Sequence, residues 1–162
     1  MSLELMQLQA QDVMTAQPIA IDGQASLKEA MALMHQQRLT ALPVVDNRQR
    51  PIGVLSQTDI VRYLYENPEY SLLEVEYFAE DFPEGGLTQF SLDEDQNTQV
   101  IEVMTPIIYA VGPDAPMAVV LDEMFARRVH RVFVMDLEGR LAGVISSLDI
   151  LAKLRTGFQV GQ

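Results

Sequence analysis

Two copies of the pattern Gly-x-x-Ser-x-x-Asp are the strongest candidates for chemistry in this sequence. Each copy places a glycine in a predicted strand, a hydroxyl at the strand-to-helix junction and a carboxylate in the first turn of the helix. Such a set suits a nucleotide, because a helix N-terminus and a hydroxyl bind phosphate and a carboxylate accepts hydrogen bonds from both ribose hydroxyls. The candidate residues are Ser56 and Asp59 in the first copy and Ser146 and Asp149 in the second.

A helix cap is the alternative interpretation of the same pattern. Ser-x-x-Asp is an ordinary capping arrangement, and in a single copy it favours a cap over a ligand site. Duplication does not decide between the two, because a structural cap would be duplicated as well. The copies also differ, since Thr58 adds a hydroxyl to the first and Leu148 replaces it in the second. Thr58 is therefore a further candidate contact of the first copy.

The two copies belong to a longer internal repeat. Residues 13–61 recur at 103–151 with a constant offset of 90 and no gap, and 15 of the 49 aligned positions are identical. A solenoid needs about three or more units, so two units indicate half-domains packed face to face. One unit of about 50 residues is marginal by itself. We therefore expect a single module over residues 1–162, and we expect a separated half such as residues 1–64 to be unstable.

Each repeat shows the same order of predicted elements. Apolar residues at helical spacing, with Ser26 and Glu29 placed as a capping box, predict a helix over 26–38, and its equivalent follows Pro116 in the second repeat. Apolar runs around turn-rich segments predict strands at 42–45, 51–55, 132–135 and 141–145. Second helices are predicted at about 57–66 and 147–155, and short first strands at Ile19–Ile21 and Tyr109–Val111. The fold class is therefore α/β, with two β-α-β-β-α units.

The segment between the repeats carries most of the net charge of −12. Residues 63–102 contain eleven acidic residues and no basic one. Such a surface repels nucleic-acid phosphates, so we expect no nucleic-acid partner. We predict a helix over about 70–79 followed by a loop; a solvated acidic loop is favoured over a specific docking site, which stays the alternative.

Composition limits the remaining function classes. The chain has no cysteine, which fits a reducing cytoplasm. No apolar run approaches the ~18 residues of a membrane span, and the N-terminus lacks the features of a signal peptide, so a soluble cytoplasmic protein is expected. With two histidines and no ordered catalytic triad, phosphate-binding lysine motif or cluster of metal ligands, the sequence predicts neither an enzyme nor a metal site.

Three motifs in this order resemble the cystathionine-β-synthase (CBS) domain. They are Met-Thr at the start of each unit, Leu-Pro-Val-Val-Asp at 42–46, and the Gly-x-x-Ser-x-x-Asp ending. The resemblance implies a first domain at 10–66, an acidic connector at 67–100 and a second domain at 101–156, forming one tandem module about a pseudo-two-fold axis. It also implies clefts that bind adenosine nucleotides, and a homodimer.

The resemblance assigns roles to individual residues. It implies that Asp149 and Asp59 bind ribose, and that Ser146, Ser56 and Thr58 contact phosphate or ribose. The run from 128 to 136 is similar to the phosphate-contacting segment of the gamma subunits of the AMP-activated protein kinase, which implies phosphate contacts for His130 and Arg131. Ile19 and Tyr109 are implied near adenine. The first repeat has Thr40 and Ala41 in place of His130 and Arg131, so the clefts are expected to differ.

These expectations favour a regulatory binding module. We expect it to sense AMP, ADP or ATP without a required cofactor, to act on a separate target protein, and to signal through its dimer. Apolar stripes on the second helices are the predicted dimer face, with core as the alternative: Ile60, Val61, Leu64, Ile150, Leu151 and Leu154. The alternative function is a structural or interaction protein with empty clefts, acting through its surface or acidic connector.

Overall fold

The computed structural model describes residues 7–68 and 98–159, with side chains as far as residue 155. The predicted connector helix at 70–79 lies outside these ranges. The helices are α1 Ala10–Val13, α2 Leu27–Gln37, α3 Gln57–Glu66, α4 Val100–Val103, α5 Met117–Arg127 and α6 Ser147–Gln159. The strands are β1 Thr15–Ala16, β2 Ile21–Asp22, β3 Ala41–Val45, β4 Pro51–Ser56, β5 Ala110–Val111, β6 Arg131–Met135 and β7 Leu141–Ser146.

The predicted mixed α/β architecture with two repeats is confirmed. The capping box of α2 forms as expected, since the Ser26 hydroxyl accepts from the Glu29 N–H at 3.1 Å and the Glu29 carboxylate accepts from the Ser26 N–H at 2.8 Å. The two equivalent helices also end alike, because Arg38 and Arg128 both take left-handed backbone angles with φ of 53°. Local sequence therefore caps α2 at both ends and gives α5 the same C-terminal geometry, whereas α5 begins after Pro116 without a side-chain cap.

Three short elements were not predicted, namely α1, α4 and β1. Strand β1 pairs antiparallel with β7 and extends a sheet of order β1-β7-β6-β5, while β2, β3 and β4 form a second sheet. Elements of two to four residues are too short to show a hydrophobic period or to be stable alone, so they need tertiary contacts in addition to the local caps of α1 and α4. α1 and β1 of the first repeat belong to the first compact unit, and α4 of the second repeat belongs to the second.

The first compact unit combines described residues 7–19, 45–52 and 107–159. It contains the four-stranded sheet, and α1 from the first repeat packs against α6 and β7 of the second. Ala10 and Val13 are buried in one apolar cluster whose other members are Met117, Val120, Met124, Val132, Val134, Ile145 and Ile150. The start of the first repeat thus completes the core of the second.

The second compact unit combines described residues 20–44, 53–68 and 98–106. Here α4, which opens the second repeat, packs against α2 and α3 of the first. Val100 is fully buried, and its N–H donates to the Ala25 carbonyl at 2.9 Å. The buried apolar residues of this unit are Ile21, Leu27, Ala30, Met34, Leu42, Val44, Leu55, Ile60, Leu64 and Val100. Each repeat therefore lends its first helix to the unit built around the other repeat.

Two equivalent turns connect the antiparallel strands. Asp46 accepts from the backbone N–H groups of Arg48 and Arg50 at 2.9 Å, and Asp136 accepts from those of Glu138 and Arg140 at the same distance. The hydrogen bond from the Arg50 backbone lowers the pKa of Asp46, and that from the Arg140 backbone lowers the pKa of Asp136. Both carboxylates are therefore ionised acceptors at neutral pH.

The predicted dimer stripe on the second helices is only partly exposed. Ile60 and Leu64 of α3 and Ile150 of α6 are buried in the cores of their own units, so their assignment to a dimer face was wrong. Val61 and Leu151 remain 59% and 58% exposed. Each helix buries one apolar side in the core of its own unit, so only the residues outside that side can contact a partner. The homodimer stays a prediction.

Within the described ranges, no helix has both the length and the apolar character that crossing a membrane requires.

The glycines of the two patterns lie under the Met-Thr segments rather than in open space. A Cβ on Gly53 would lie 2.6 Å from the Thr105 carbonyl oxygen and 2.7 Å from the Met104 sulfur. A Cβ on Gly143 would collide with the Met14 side chain. The close approach that glycine permits here is therefore made by protein atoms.

We expect Gly53→Ala to destabilise the protein more than Gly143→Ala. Thr105 cannot retreat easily, because its N–H and carbonyl both bond to Val54, at 2.9 and 3.0 Å, whereas the thioether of Met14 can rotate. Overpacking of this kind costs about 1–3 kcal/mol, and we expect Gly53→Ala at the upper end. Urea denaturation of both variants measures the difference, and equal losses would contradict it.

Candidate functional site

Both Ser-x-x-Asp patterns form helix caps, at the starts of α3 and α6. Asp59 accepts from the Ser56 N–H at 2.8 Å and the Ser56 hydroxyl at 2.5 Å, and that hydroxyl accepts from the Asp59 N–H at 3.2 Å. Ser146 and Asp149 repeat these bonds at 2.7, 2.5 and 3.2 Å. The capping alternative therefore holds in both copies, and each aspartate uses one carboxylate oxygen, Oδ2, for it. Any ligand role must fall to the other oxygen, Oδ1.

In the first copy that second oxygen is fully used. Asp59 Oδ1 accepts from the Thr105 hydroxyl at 2.9 Å and from Arg62 Nη2 at 2.7 Å. An ionised carboxylate has about four acceptor positions, and Asp59 receives four donors. The side chain is also only 5% exposed. As the structure stands, Asp59 has no acceptor left for a ribose hydroxyl.

In the second copy the equivalent oxygen is less occupied. Asp149 Oδ1 accepts from the Thr15 hydroxyl at 3.3 Å, and Ala152 stands where the first repeat has Arg62. The carboxylate is also half-buried rather than buried. One acceptor position is therefore open and a second is weakly used, which leaves Asp149 able to accept hydrogen bonds from a diol.

The basic residues His130 and Arg131 stand at the start of β6, at the end of the sheet where β7 runs into α6. The Ser147 N–H, in the first turn of α6, donates to the His130 carbonyl at 3.1 Å, and Arg131 pairs with Ser146 across β6 and β7. Both side chains are exposed. The strand pairing therefore brings the predicted phosphate residues to the strand end that carries Ser146 and Asp149.

Tyr109 lies immediately before β5, the strand that pairs with β6, and a basic residue lies against its ring. Its carbonyl accepts from the Phe133 N–H at 2.8 Å, which continues the β5–β6 ladder. The guanidinium of Arg127 lies 5.3 Å from the ring centroid, within the range of a cation–π contact. Arg127 was not predicted, although its position at the end of α5 next to Arg128 marks a local concentration of positive charge.

The remaining predicted residues divide between the two units. Ile19, like Tyr109, lies in the unit that holds Asp149, and it is exposed. Ser56, Thr58 and Asp59 lie in the other unit, where Thr58 is exposed. The Thr40 carbonyl there accepts from the Gln57 N–H at 3.0 Å, as His130 does from Ser147 in its own repeat. The backbone geometry is thus duplicated, while the basic side chains are present in one copy only.

The threonines of the two Met-Thr motifs were missed as partners of the carboxylates. Thr15 belongs to the first repeat and bonds Asp149 of the second, whereas Thr105 belongs to the second repeat and bonds Asp59 of the first. The duplicated Met-Thr was visible in the sequence, but its contacts with Asp149 and Asp59 span 134 and 46 residues. Only the exchange of segments between repeats explains them.

In the part of the chain that the structure describes, no group of three or more histidine, aspartate or glutamate side chains is placed to hold a metal ion.

The family model for the CBS domain matches residues 10–66 and 100–156. Among curated proteins, the chain is 28% identical over 131 residues to the SNF1-related protein kinase regulatory subunit gamma-1 of Arabidopsis thaliana, an alignment that covers 78% of this chain and 29% of that subunit. The chain spans less than a third of the length of several curated relatives that it matches.

Solved structures share the fold. The CBS domain pair of protein MJ0100, in complex with 5′-methylthioadenosine and S-adenosyl-L-methionine, matches with a TM-score of 0.66 and 21% identity over 93% of this chain and 97% of that one. CBSX2 in complex with AMP matches with a TM-score of 0.66 and 20% identity over 95% of this chain and 98% of that one. At this level of identity the likeness establishes the fold alone.

Proposed function

The chain belongs to the CBS-domain family, and from this premise we propose that it is a regulatory module that binds an adenosine nucleotide of the AMP, ADP or ATP class. The observation that carries the proposal is the half-buried Asp149, whose Oδ1 has an open acceptor position next to the exposed basic pair His130 and Arg131. A carboxylate for the ribose diol and basic groups for phosphate are the two features that a nucleotide requires.

Within this site each group has a separate role. Asp149 accepts from the ribose hydroxyls while Ser146 keeps it in place, and Arg131 with His130 binds phosphate. Tyr109 and Ile19 supply apolar surface for adenine, and Arg127 against the tyrosine ring adds positive charge. Two structures with the same fold, one in complex with AMP and the other with 5′-methylthioadenosine and S-adenosyl-L-methionine, support an adenosine ligand.

The regulatory role rests on the similarity to a kinase regulatory subunit and on the absence of a recognisable catalytic constellation in the sequence. We propose that the chain is not itself an enzyme, that it works in the cytoplasm, and that it acts as a homodimer on a separate target protein. The exposed Val61 and Leu151 are available for such contacts. An interaction protein that binds no ligand is the competing function.

We expect Arg131→Ala to weaken AMP binding about tenfold or more and to leave adenosine binding nearly unchanged. A charged hydrogen bond to phosphate is worth about 1.5–3 kcal/mol, and adenosine has no phosphate to lose it. Asp149→Ala is expected to weaken both ligands, because its partner is the sugar. Isothermal titration of the purified protein with AMP, ADP, ATP, S-adenosylmethionine and adenosine gives the affinities.

Arg155→Ala is the matched control, since it removes an exposed positive charge from α6 in the same unit without touching the site. Equal AMP affinity of the wild type and Arg131→Ala would remove the phosphate role. Melting curves separate a lost cap from a lost ligand contact in Asp149→Ala. Failure of the wild type to bind any compound of the panel would favour the interaction protein.

A further inference from the structure

We propose that Arg62 closes the first repeat to ribose, and that the alanine at the equivalent position, Ala152, leaves the second repeat open. This inference rests on the proposed function and makes it more specific. The capping arrangement itself is duplicated. The two copies differ in charge at the position three residues after the aspartate, which is Arg62 in the first copy and Ala152 in the second. Arg62 is thus a residue that determines how many nucleotides one chain binds.

The two carboxylates differ in how many of their acceptor positions are occupied. A ribose diol donates two hydrogen bonds, so it needs two acceptor positions on one aspartate. Asp149 has one open position and one held by Thr15 at 3.3 Å, whereas both Oδ1 positions of Asp59 are held, by Arg62 at 2.7 Å and by Thr105 at 2.9 Å. Ribose can therefore reach Asp149 without displacing a charged group.

Displacing Arg62 from Asp59 would be energetically unfavourable. Of the four donors to Asp59 only the Arg62 guanidinium is positively charged, and the carboxylate is buried. A neutral diol in its place would leave a buried negative charge without a counter-charge, which is unfavourable in a low-dielectric environment. The arginine side chain is itself 57% exposed, so it can be removed by mutation without opening a cavity.

A reciprocal exchange tests the proposal. Titration of the full-length protein with AMP and with adenosine is expected to give about one ligand per chain for the wild type and about two for Arg62→Ala. Ala152→Arg, at an exposed position three residues after Asp149, is expected to weaken the wild-type site about tenfold or more, because the new guanidinium takes the open acceptor. The double variant should bind once, through Asp59. A following Asp59→Ala or Asp149→Ala change identifies which carboxylate holds each ligand.

Arg62→Lys serves as the control that keeps a positive charge at this position, and it is expected to keep the stoichiometry of the wild type. Melting curves establish that each variant is folded, and Ala152→Arg tests the same mechanism independently if Arg62→Ala is unstable.

One ligand per chain in a folded Arg62→Ala, with wild-type affinity in Ala152→Arg, would overturn the role of Arg62 and leave the proposed function intact. Absence of adenosine or AMP binding in every variant would overturn both. A ligand bound by Arg62→Ala but not by the wild type would support the role of Arg62 while locating the site at Asp59.

Discussion

A fragment of residues 1–68 is expected to show no cooperative thermal transition. The first repeat is contiguous in sequence, but neither compact unit is. In the fragment, Ala10 and Val13 would lose Met117, Val120 and the other second-repeat residues that bury them. The unit built on β3, β4 and α3 would lose the fully buried Val100, and the N–H and carbonyl of Val54 would lose Thr105. A chain of this length has too little core to lose these contacts and stay folded.

Circular dichroism melting and amide NMR spectra of the fragment measure this outcome. The complementary fragment, residues 98–162, supplies the partners named above, so mixing the two at micromolar concentration is expected to restore dispersed amide signals and a cooperative transition. A cooperative transition in residues 1–68 alone would show that the exchanged segments are dispensable. The full-length protein is the reference for both measurements.

The sequence was informative where structure is local or duplicated. The constant offset of 90 predicted paired helices and strands, and α2 and α5 each have 11 residues and end in the same left-handed geometry. The Ser26–Glu29 capping box was predicted because its two residues lie three positions apart. The CBS-domain resemblance supplied the family, which short-range patterns cannot give.

The parts that were missed depend on contacts between distant residues. Nothing local indicates that Ala10 belongs with Met117, or that Thr105 bonds Asp59, because these pairs form only when the repeats exchange their first segments. The stripe on α3 was read as a dimer face because periodicity shows that a side is apolar without showing what covers it. The difference between Arg62 and Ala152, one residue beyond the repeat, was visible in the sequence, yet its meaning required the hydrogen bonds of Asp59.

Asp59→Ala is expected to be the most destabilising single substitution at either carboxylate. It removes a carboxylate that receives the Ser56 N–H, the Ser56 hydroxyl, the Thr105 hydroxyl and Arg62. Arg62 is partly exposed and can be solvated by water, so its loss contributes little. The cap and the Thr105 bond are less accessible, and their loss is expected to lower the free energy of unfolding by about 2–4 kcal/mol.

Asp149→Ala is the matched control, because it removes the same cap from the other repeat. Its carboxylate is half-buried and its bond to Thr15 is 3.3 Å long, so the expected loss is that of a cap alone, about 0.5–2 kcal/mol. In a chain of this size 1 kcal/mol corresponds to roughly 2–4 °C in Tm, which separates the two variants in melting and urea experiments. The two aspartates hold equivalent positions in the repeats. This result would show that Asp59, whose four acceptor positions are all used, stabilises the fold more than Asp149, which has one position open. Equal destabilisation by the two substitutions would contradict this difference.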